Sequence, residues 1–564
     1  MKTYQNYINQ CKGVPIGLNE GLEEVRNSSW LGRIRNILGV GLLGPFSLLL
    51  LLLFFGCSAC NKIIQVDPIS NIGAEDYYKT YKDVQTALTG SYNGMQGALQ
   101  NEWMLTDLRS DISMQGFPNS SSTINLDFNQ LDMFTPPTTL PEIYDYWFAV
   151  YKNVRSINYV LKSLGVAYEN GEDILHTPIA DVTEEQNEKL AGQALFLRAY
   201  HYFNLVRLFG GVFLLSSPTD PKAAATTDRS SVTDIYNFIV ADLKKSVELL
   251  PKVAYGNIAA ADLGHATVWA AEGLLAKVYL TLNRKADALL LLDDIIENSG
   301  YGLEPSFAQI FSTGNEMNQE ILFAIRFKAG GVGLGNYMPN QFAPQGSGSG
   351  IVNGDGRSYN YPTDWLDSVF VSQDERSKVT IDKYSDKLYA KKFVVPVTLA
   401  GDGENDFPIL RYADILLMKA EALGFDGPAG TAVDLINQVR VRAGATSYSA
   451  GDFSAGFYTY PTDADAPYAI KDEASFVNAL LNERKLEFAF ENQRLFDLIR
   501  MGKAIEVMKA HFALEYDMHY SHYQPQQSLA EYQANIKADK LILPIPQREI
   551  DANTTIKIQQ NAGY

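Results

Sequence analysis

From Leu190 to Phe209 apolar residues fall on nearly every face of a helical wheel. A helix of that kind has no wet side and is stable only when other elements surround it. The pattern predicts a central, buried helix that stops at Gly210-Gly211, where glycine supplies a C-cap. Ile235, Phe238, Ile239, Leu243, Val247 and Leu250 recur at three- and four-residue steps, which predicts an amphipathic helix with Asp242, Lys244, Lys245 and Glu248 mostly off the stripe. Thr233 is its expected cap and Pro251 marks its end. A third long helix is expected from Tyr144 to Leu164, closed by Gly165. The expected fold class is mainly α, with long irregular insertions.

A length of 564 residues leaves room for three or four domains. With 46% hydrophobic and 20% charged residues the chain is globular in composition. A formal charge of −18 argues against a general nucleic-acid binder, whose affinity comes from neutralising phosphates with Lys and Arg. It argues equally against attachment to an anionic lipid surface by charge alone. Tyrosine is abundant, 32 residues against 5 Trp. A tyrosine ring can pack on one side and keep its hydroxyl wet.

Two weak repeats of tetratricopeptide spacing, each explained about as well by an ordinary helical hairpin, together favour a helical scaffold. Leu275-Ala276 and Tyr279, followed by Ala288, Leu292 and Ile295, have the spacing of a helix pair in which small residues permit close approach. Ala420, Gly427, Ala432, Ile436 and Val439 repeat it less well. Between helices lie two long stretches of other composition, about 109–140 and 328–362. The second is rich in Gly and follows the strand-like run Ile321 to Ile325. Loops of this length inside a compact protein are usually functional or mobile.

The first sixty residues read as an address. Lys2, Lys12, Arg26, Arg33 and Arg35 precede a dense apolar run, Phe46 to Phe55, that ends in Gly56-Cys57-Ser58-Ala59-Cys60. That is a secretory signal with small residues before a cysteine, as in a bacterial lipobox. The expected organisation is a signal over 1–59, a lipidated tether over 60–70 beginning at Cys60, and one body over 71–564. Cys57 is the alternative lipidation point, and a membrane-spanning helix over Ile37 to Cys57 is the alternative to a signal. Cysteines occur only at 11, 57 and 60, so cleavage before Cys60 leaves a single, acylated one and no disulfide.

Catalytic motifs are missing: there is no GxSxG, HExxH, Walker loop or CxxC, and Asn336 spoils the GxGxxG reading at 331–336. No catalytic residue and no cofactor is assigned. His519 and His522 could share a metal, with an exposed pair as the plainer account. Asp402, Glu404 and Asp406 could chelate a structural calcium, with a solvated acidic turn as the alternative. The remaining chemistry is binding by aromatic loops. Sugar rings offer apolar faces and many hydroxyls, so a site needs flat rings beside polar side chains. The candidate set is Asp111, Gln115, Phe117 and Asn119 from the first loop, and Tyr337, Asn340, Arg357, Tyr359 and Tyr361 from the second.

Several ordered motifs then resemble the SusD/RagB family of Bacteroidetes outer-membrane lipoproteins. They are Cys60-Asn61-Lys62 with Val66-Asp67-Pro68, Ala194 to Tyr200 running into Tyr202 and Phe203, and Phe209-Gly210-Gly211-Val212. Asp374 and Arg376, Leu410 to Met418, Asn437 to Gly444, Glu483-Arg484 with Glu487-Phe488, Arg494 with Asp497, and Pro544 to Tyr564 follow in order. Ala562 stands where the family often has Pro. Arg198, Glu421, Glu483 and Arg484 read as buried or half-buried charges tied to partners. The resemblance implies a tetratricopeptide-like helical half supporting a loop-rich half. It also implies a SusC-like TonB-dependent transporter as partner, cell-surface exposure on the outer membrane, and a glycan cargo, or peptides as in RagB-like members. A periplasmic helical-repeat adaptor that binds only proteins is the remaining alternative.

Overall fold

The computed structural model describes residues 77–115, 126–449, 451–453, 455–523, 526–553 and 555–564. The signal, the Ile37–Cys57 segment, Cys57, Cys60 and the tether lie outside the described residues, as do Phe117 and Asn119.

The first half is built from long helices: α1 (Tyr81–Leu105), α2 (Pro141–Ser163), α3 (Glu184–Phe209), α4 (Val232–Leu249), α5 (Val268–Thr281) and α6 (Lys285–Asn298). Consecutive members pack in pairs, α1 on α2, α3 on α4 and α5 on α6. The all-round apolar segment is the interior of α3, where every residue from Leu190 to Val206 is buried. Thr183 caps it in a reciprocal box with Gln186, and Gly210 closes it at φ +71°. The start of α4 differs from expectation. Ser231, not Thr233, accepts the Asp234 N–H, because Thr233 already lies within the first turn.

The second half carries α7 (Tyr412–Leu423), α8 (Thr431–Arg442), α9 (Glu473–Phe488), α10 (Arg494–Arg500) and α11 (Ala504–Glu515). Both repeat readings correspond to helix pairs, α5 with α6 and α7 with α8. Ala288, Leu292 and Ile295 are buried in the first, and Ala420, Ala432, Ile436 and Val439 in the second.

Strands among the described residues form four antiparallel pairs of two. They are β1 (Ser113–Met114), β2 (Val166–Glu169), β3 (Glu172–Leu175), β4 (Ile321–Ile325), β5 (Tyr361–Pro362), β6 (Ile381–Tyr384), β7 (Lys387–Ala390) and β8 (Phe407–Arg411). The β2–β3 hairpin turns on Asn170-Gly171, both at positive φ, as a tight two-residue turn requires. β4 pairs with β8. β1 pairs with β5, Met114 facing Tyr361, and so ties the two long loops together. Those loops are therefore partly ordered. The glycine run at 346–348 is organised by Asp355, whose carboxylate accepts the N–H groups of Gly346, Gly348 and Gly356.

Buried charge ties elements together within each half. Arg198 on α3 reaches both oxygens of Asp242 on α4 and one of Asp173 on β3. In the second half Arg376, Arg411 and Arg442 converge on Glu487, while Glu320, Glu483 and Glu491 neutralise the remaining guanidinium faces. Arg484 pairs with Asp414 and Asp497, and Glu421 with Arg500. The four charges expected to be tied inside the fold are so placed. Burial alone would raise the Glu487 carboxyl, but Arg442, Arg411 and Arg376 hold it well below the usual range. The C-terminal segment returns to the first half: Asn561 donates to the carbonyls of Phe209 and Leu543, and the Leu543 N–H donates to Leu208.

Candidate ligand-binding cleft

The loop that leaves α8 is held in place by the helix it leaves. Asn437 on α8 donates its side-chain amide to the Tyr460 carbonyl and accepts the Tyr460 N–H, at 3.0 and 2.7 Å. Arg440, one turn on, donates twice to the Tyr458 carbonyl and once to Glu483. Its guanidinium lies 4.7 to 5.2 Å from the ring centres of Phe457, Tyr460 and Phe453. A cation against ring faces is attracted by their negative quadrupole, so one buried arginine collects the aromatic residues of the loop.

The outer face of that cluster is open. Phe453 stacks on Tyr460 at 5.3 Å and 29°, and on Tyr468 at 5.3 Å and 24°. Tyr468 is 49% exposed and sits at φ +65°, a left-handed conformation that a bulky residue seldom adopts. Its hydroxyl donates to Asp452, and that hydrogen bond, followed by the negative charge of the carboxylate, raises the phenol pKa. Tyr460 and Tyr468 border a cleft of about 1260 Å³, with Tyr448, Asp434, Gln438, Asp452 and Asp463 also lining it. Flat rings beside carboxylates and amides can bind a polyhydroxylated ring by stacking one face and pairing its hydroxyls.

Sequence reading passed over this loop. Its tyrosines and aspartates have no period, and the helix residues that collect them, Asn437 and Arg440, read as helix charges and amides. The Tyr/Asp/Pro density of 445–470 was the available signal.

The loop residues expected to bind do not form one surface. Asp111 is buried and gives both oxygens to Arg494, at 2.6 and 2.9 Å. Gln115 is buried, and its N–H donates to Asp132. Tyr361 is 1% exposed, and its hydroxyl accepts the Leu388 N–H. All three lie inside the protein, Tyr361 through pairing of β5 with β1, Asp111 through Arg494, and Gln115 beside Asp132. Asn340 is used to brace its loop, donating to the carbonyls of Asn353 and Asp355 and accepting the Gly401 N–H. Tyr359 is half-buried between Trp103 and Phe128. Tyr337 and Arg357 are exposed, the Tyr337 ring lying against Gly401 so closely that a Cβ there would sit 2.8 Å from it.

The two metal readings also change. Asp402 accepts the N–H groups of Gly330 and Gly331, and Asp406 accepts from Phe327 and Arg326, so two of the three carboxylates of the calcium set are engaged by the protein's own donors. His519 is buried, whereas the His522 ring is directed to the Asp517 carbonyl, so the two histidines do not converge. Among the described residues no helix is long and apolar enough to cross a membrane.

A profile described as the SusD family matches residues 382–564, and one described as starch-binding associating with outer membrane matches 73–280. The chain is 24% identical to SusD-like protein P25 of Formosa agariphila, across 91% of this chain and 98% of that protein. Against a SusD-like protein of Bacteroides ovatus the identity is 23%, across 89% and 94%. A solved laminarin binding SusD-like protein superposes with a TM-score of 0.67 at 23% identity, spanning 86% of this chain and all of that one. Surface glycan-binding protein A from Bacteroides thetaiotaomicron, in complex with laminarihexaose, gives 0.65 at 20% over the same shares. These superpositions establish a SusD-like helical fold. With both halves matched by profiles in chain order and relatives matched end to end, the chain belongs to the SusD/RagB family.

Proposed function

We propose that this protein is a glycan-binding lipoprotein of the outer membrane that captures oligo- or polysaccharide and passes it to a SusC-like TonB-dependent transporter. The observation that carries the binding role is the Phe453–Tyr460–Tyr468 stack, whose two tyrosines line a cleft rimmed by carboxylates and amides. Tyr468 is the residue assigned to stack on a sugar face, with Asp452, Asp463 and Gln438 pairing its hydroxyls. Tyr337 and Arg357 are the part of the loop set that remains available as a second contact. Support for a glycan over other cargo comes from the relatives whose names specify laminarin or surface glycans. Support for outer-membrane attachment comes from the lipobox ending at Cys60 and from the description of the profile over residues 73–280. The chain is assigned no catalytic role.

Affinity electrophoresis of the protein against a polysaccharide panel that includes laminarin tests the reading. Retardation by at least one glycan, abolished by Tyr468→Ala, is the expected result. Retention of binding by that variant with loss in Tyr337→Ala would move the site to the second loop. No retardation by any glycan, with peptides co-purifying, would replace the sugar by a peptide cargo. Radiolabelled palmitate incorporation lost in Cys60→Ala, and accessibility to protease on intact cells, test anchoring and exposure. Co-purification of a barrel protein with the anchored chain tests the transporter.

A further inference from the structure

His519 lies just beyond the end of α11, and its side chain is fully buried at 0% exposure. A buried imidazole ordinarily spends both ring nitrogens on partners, since each unpaired polar group costs about 1–3 kcal/mol. Among the described residues neither Nδ1 nor Nε2 of His519 has a hydrogen-bond partner. Nε2 instead lies 3.5 Å from an oxygen of Glu515 and 3.5 Å from an oxygen of Asp364. The three side chains offer donor atoms that all fall within 4.8 Å of one another.

The arrangement follows from local structure. Glu515 and His519 are four apart, and the His519 N–H donates to the Glu515 carbonyl, so one helical turn brings both side chains to the same face. Asp364 arrives from the short helix Asp364–Val369, docked there because the Trp365 N–H donates to the other Glu515 oxygen at 2.8 Å. Separations of 3.5 Å are too long for hydrogen bonds to the ring. They match the edge of a tetrahedron whose centre is about 2.1 Å from each corner, which is the bond length of zinc to imidazole nitrogen or carboxylate oxygen. A calcium ion would reject the imidazole in favour of oxygen.

We propose that Asp364, Glu515 and His519 form a zinc site, with a water in the fourth position, that clips the 361–369 segment to the end of α11. The Asp364 side chain is 40% exposed and gives the ion its way in.

The test uses the untagged full-length protein, stripped with a chelator and titrated with zinc chloride against a chromophoric competitor, with thermal melting in parallel. One zinc per chain and a raised melting temperature are expected. Asp364→Asn and His519→Gln should each weaken zinc at least tenfold, the range seen when a ligand's support is removed, whereas His522→Gln should bind as the parent does. Should His519→Gln fail to fold, Asp364→Asn decides alone, since its partly exposed side chain carries no core packing. Absence of stoichiometric zinc binding, or zinc affinity equal to the parent's in the Asp364 and His519 variants, would overturn the site. X-ray absorption on the loaded protein should give only nitrogen and oxygen neighbours near 2.0–2.1 Å, roughly, and a fully hydrated six-oxygen shell would also overturn it.

Discussion

Arg411 Nη1 and Glu487 Oε1 meet at 2.8 Å where neither side chain is more than 1% exposed. The same carboxylate serves Arg376 and Arg442, so a single glutamate is shared by three guanidinium groups that have left water. Arg376 lies just past the long glycine-rich loop, Arg411 at the end of β8 and Arg442 at the end of α8. Glu487 thus joins three segments that share no helix.

Glu487→Gln should be among the most damaging single changes in the second half. Removing one partner of a buried pair leaves charge without compensation and costs about 3–5 kcal/mol. Guanidinium denaturation should register that loss. Lys245→Ala, which breaks the exposed pair with Glu248, should shift stability by less than about 1 kcal/mol.

Gly94 and Gly90 occupy the same helix and should answer oppositely to alanine. A Cβ at Gly94 would lie 2.1 Å from Oδ1 of Asn153, whose amide is already held by the Ser91 carbonyl and the His201 ring. Gly94→Ala should therefore destabilise by about 1–3 kcal/mol through overpacking. At Gly90 a Cβ meets nothing within 4 Å, so alanine should stabilise by up to about 1 kcal/mol through helix propensity. A pair of thermal melts decides both.

Burial pushes the His201 ring down to about 3. The unfolded chain takes up a proton near the ordinary histidine value, about 6.5, that the folded protein refuses. Stability from this group is complete above that value and drains away as pH falls toward the folded pKa. Between about pH 7.5 and about pH 5.5 the loss should be about 1.4 kcal/mol. Because other groups titrate as well, the readout is the difference in slope between the parent and His201→Asn. Parallel stability curves for the two would refute the assignment.

Tyr468→Ala and Tyr361→Ala separate recognition from architecture. The first should lower glycan affinity about tenfold or more, the loss of a binding hot spot, with the melting temperature nearly unchanged. The second should remove about 3–5 kcal/mol of stability, as for other large buried aromatics, and leave the affinity of the folded fraction intact. Isothermal calorimetry and denaturation on the same preparations provide both readings.

Periodicity carried the helical half into view. Leu190 to Phe209 could only be buried, and the Ile321–Ile325 run became β4 with those bounds. The binding surface was harder to read because it depends on partners far along the chain. Tyr337 and Tyr361 are both loop tyrosines in sequence, yet the second is buried through pairing of β5 with Ser113–Met114, some 250 residues earlier. The ring stack at 453–468 depends on Asn437, Arg440 and Glu483, which look like ordinary helix residues until the loop is laid across them. His519 found its neighbours through a helical turn and a docked segment, neither visible as a spacing to His522.

The return of residues 543–561 to the end of α3 sets an order on assembly. The carbonyl of Phe209 receives its donor from Asn561, 352 residues further along the chain, and that of Leu208 from Leu543. The helical half can collapse early, but its latch is missing until residues 543–561 have been made. Incomplete chains therefore carry an open joint against their most apolar helix, a blemish that proteases and chaperones can recognise. Only chains that extend through Asn561 close it.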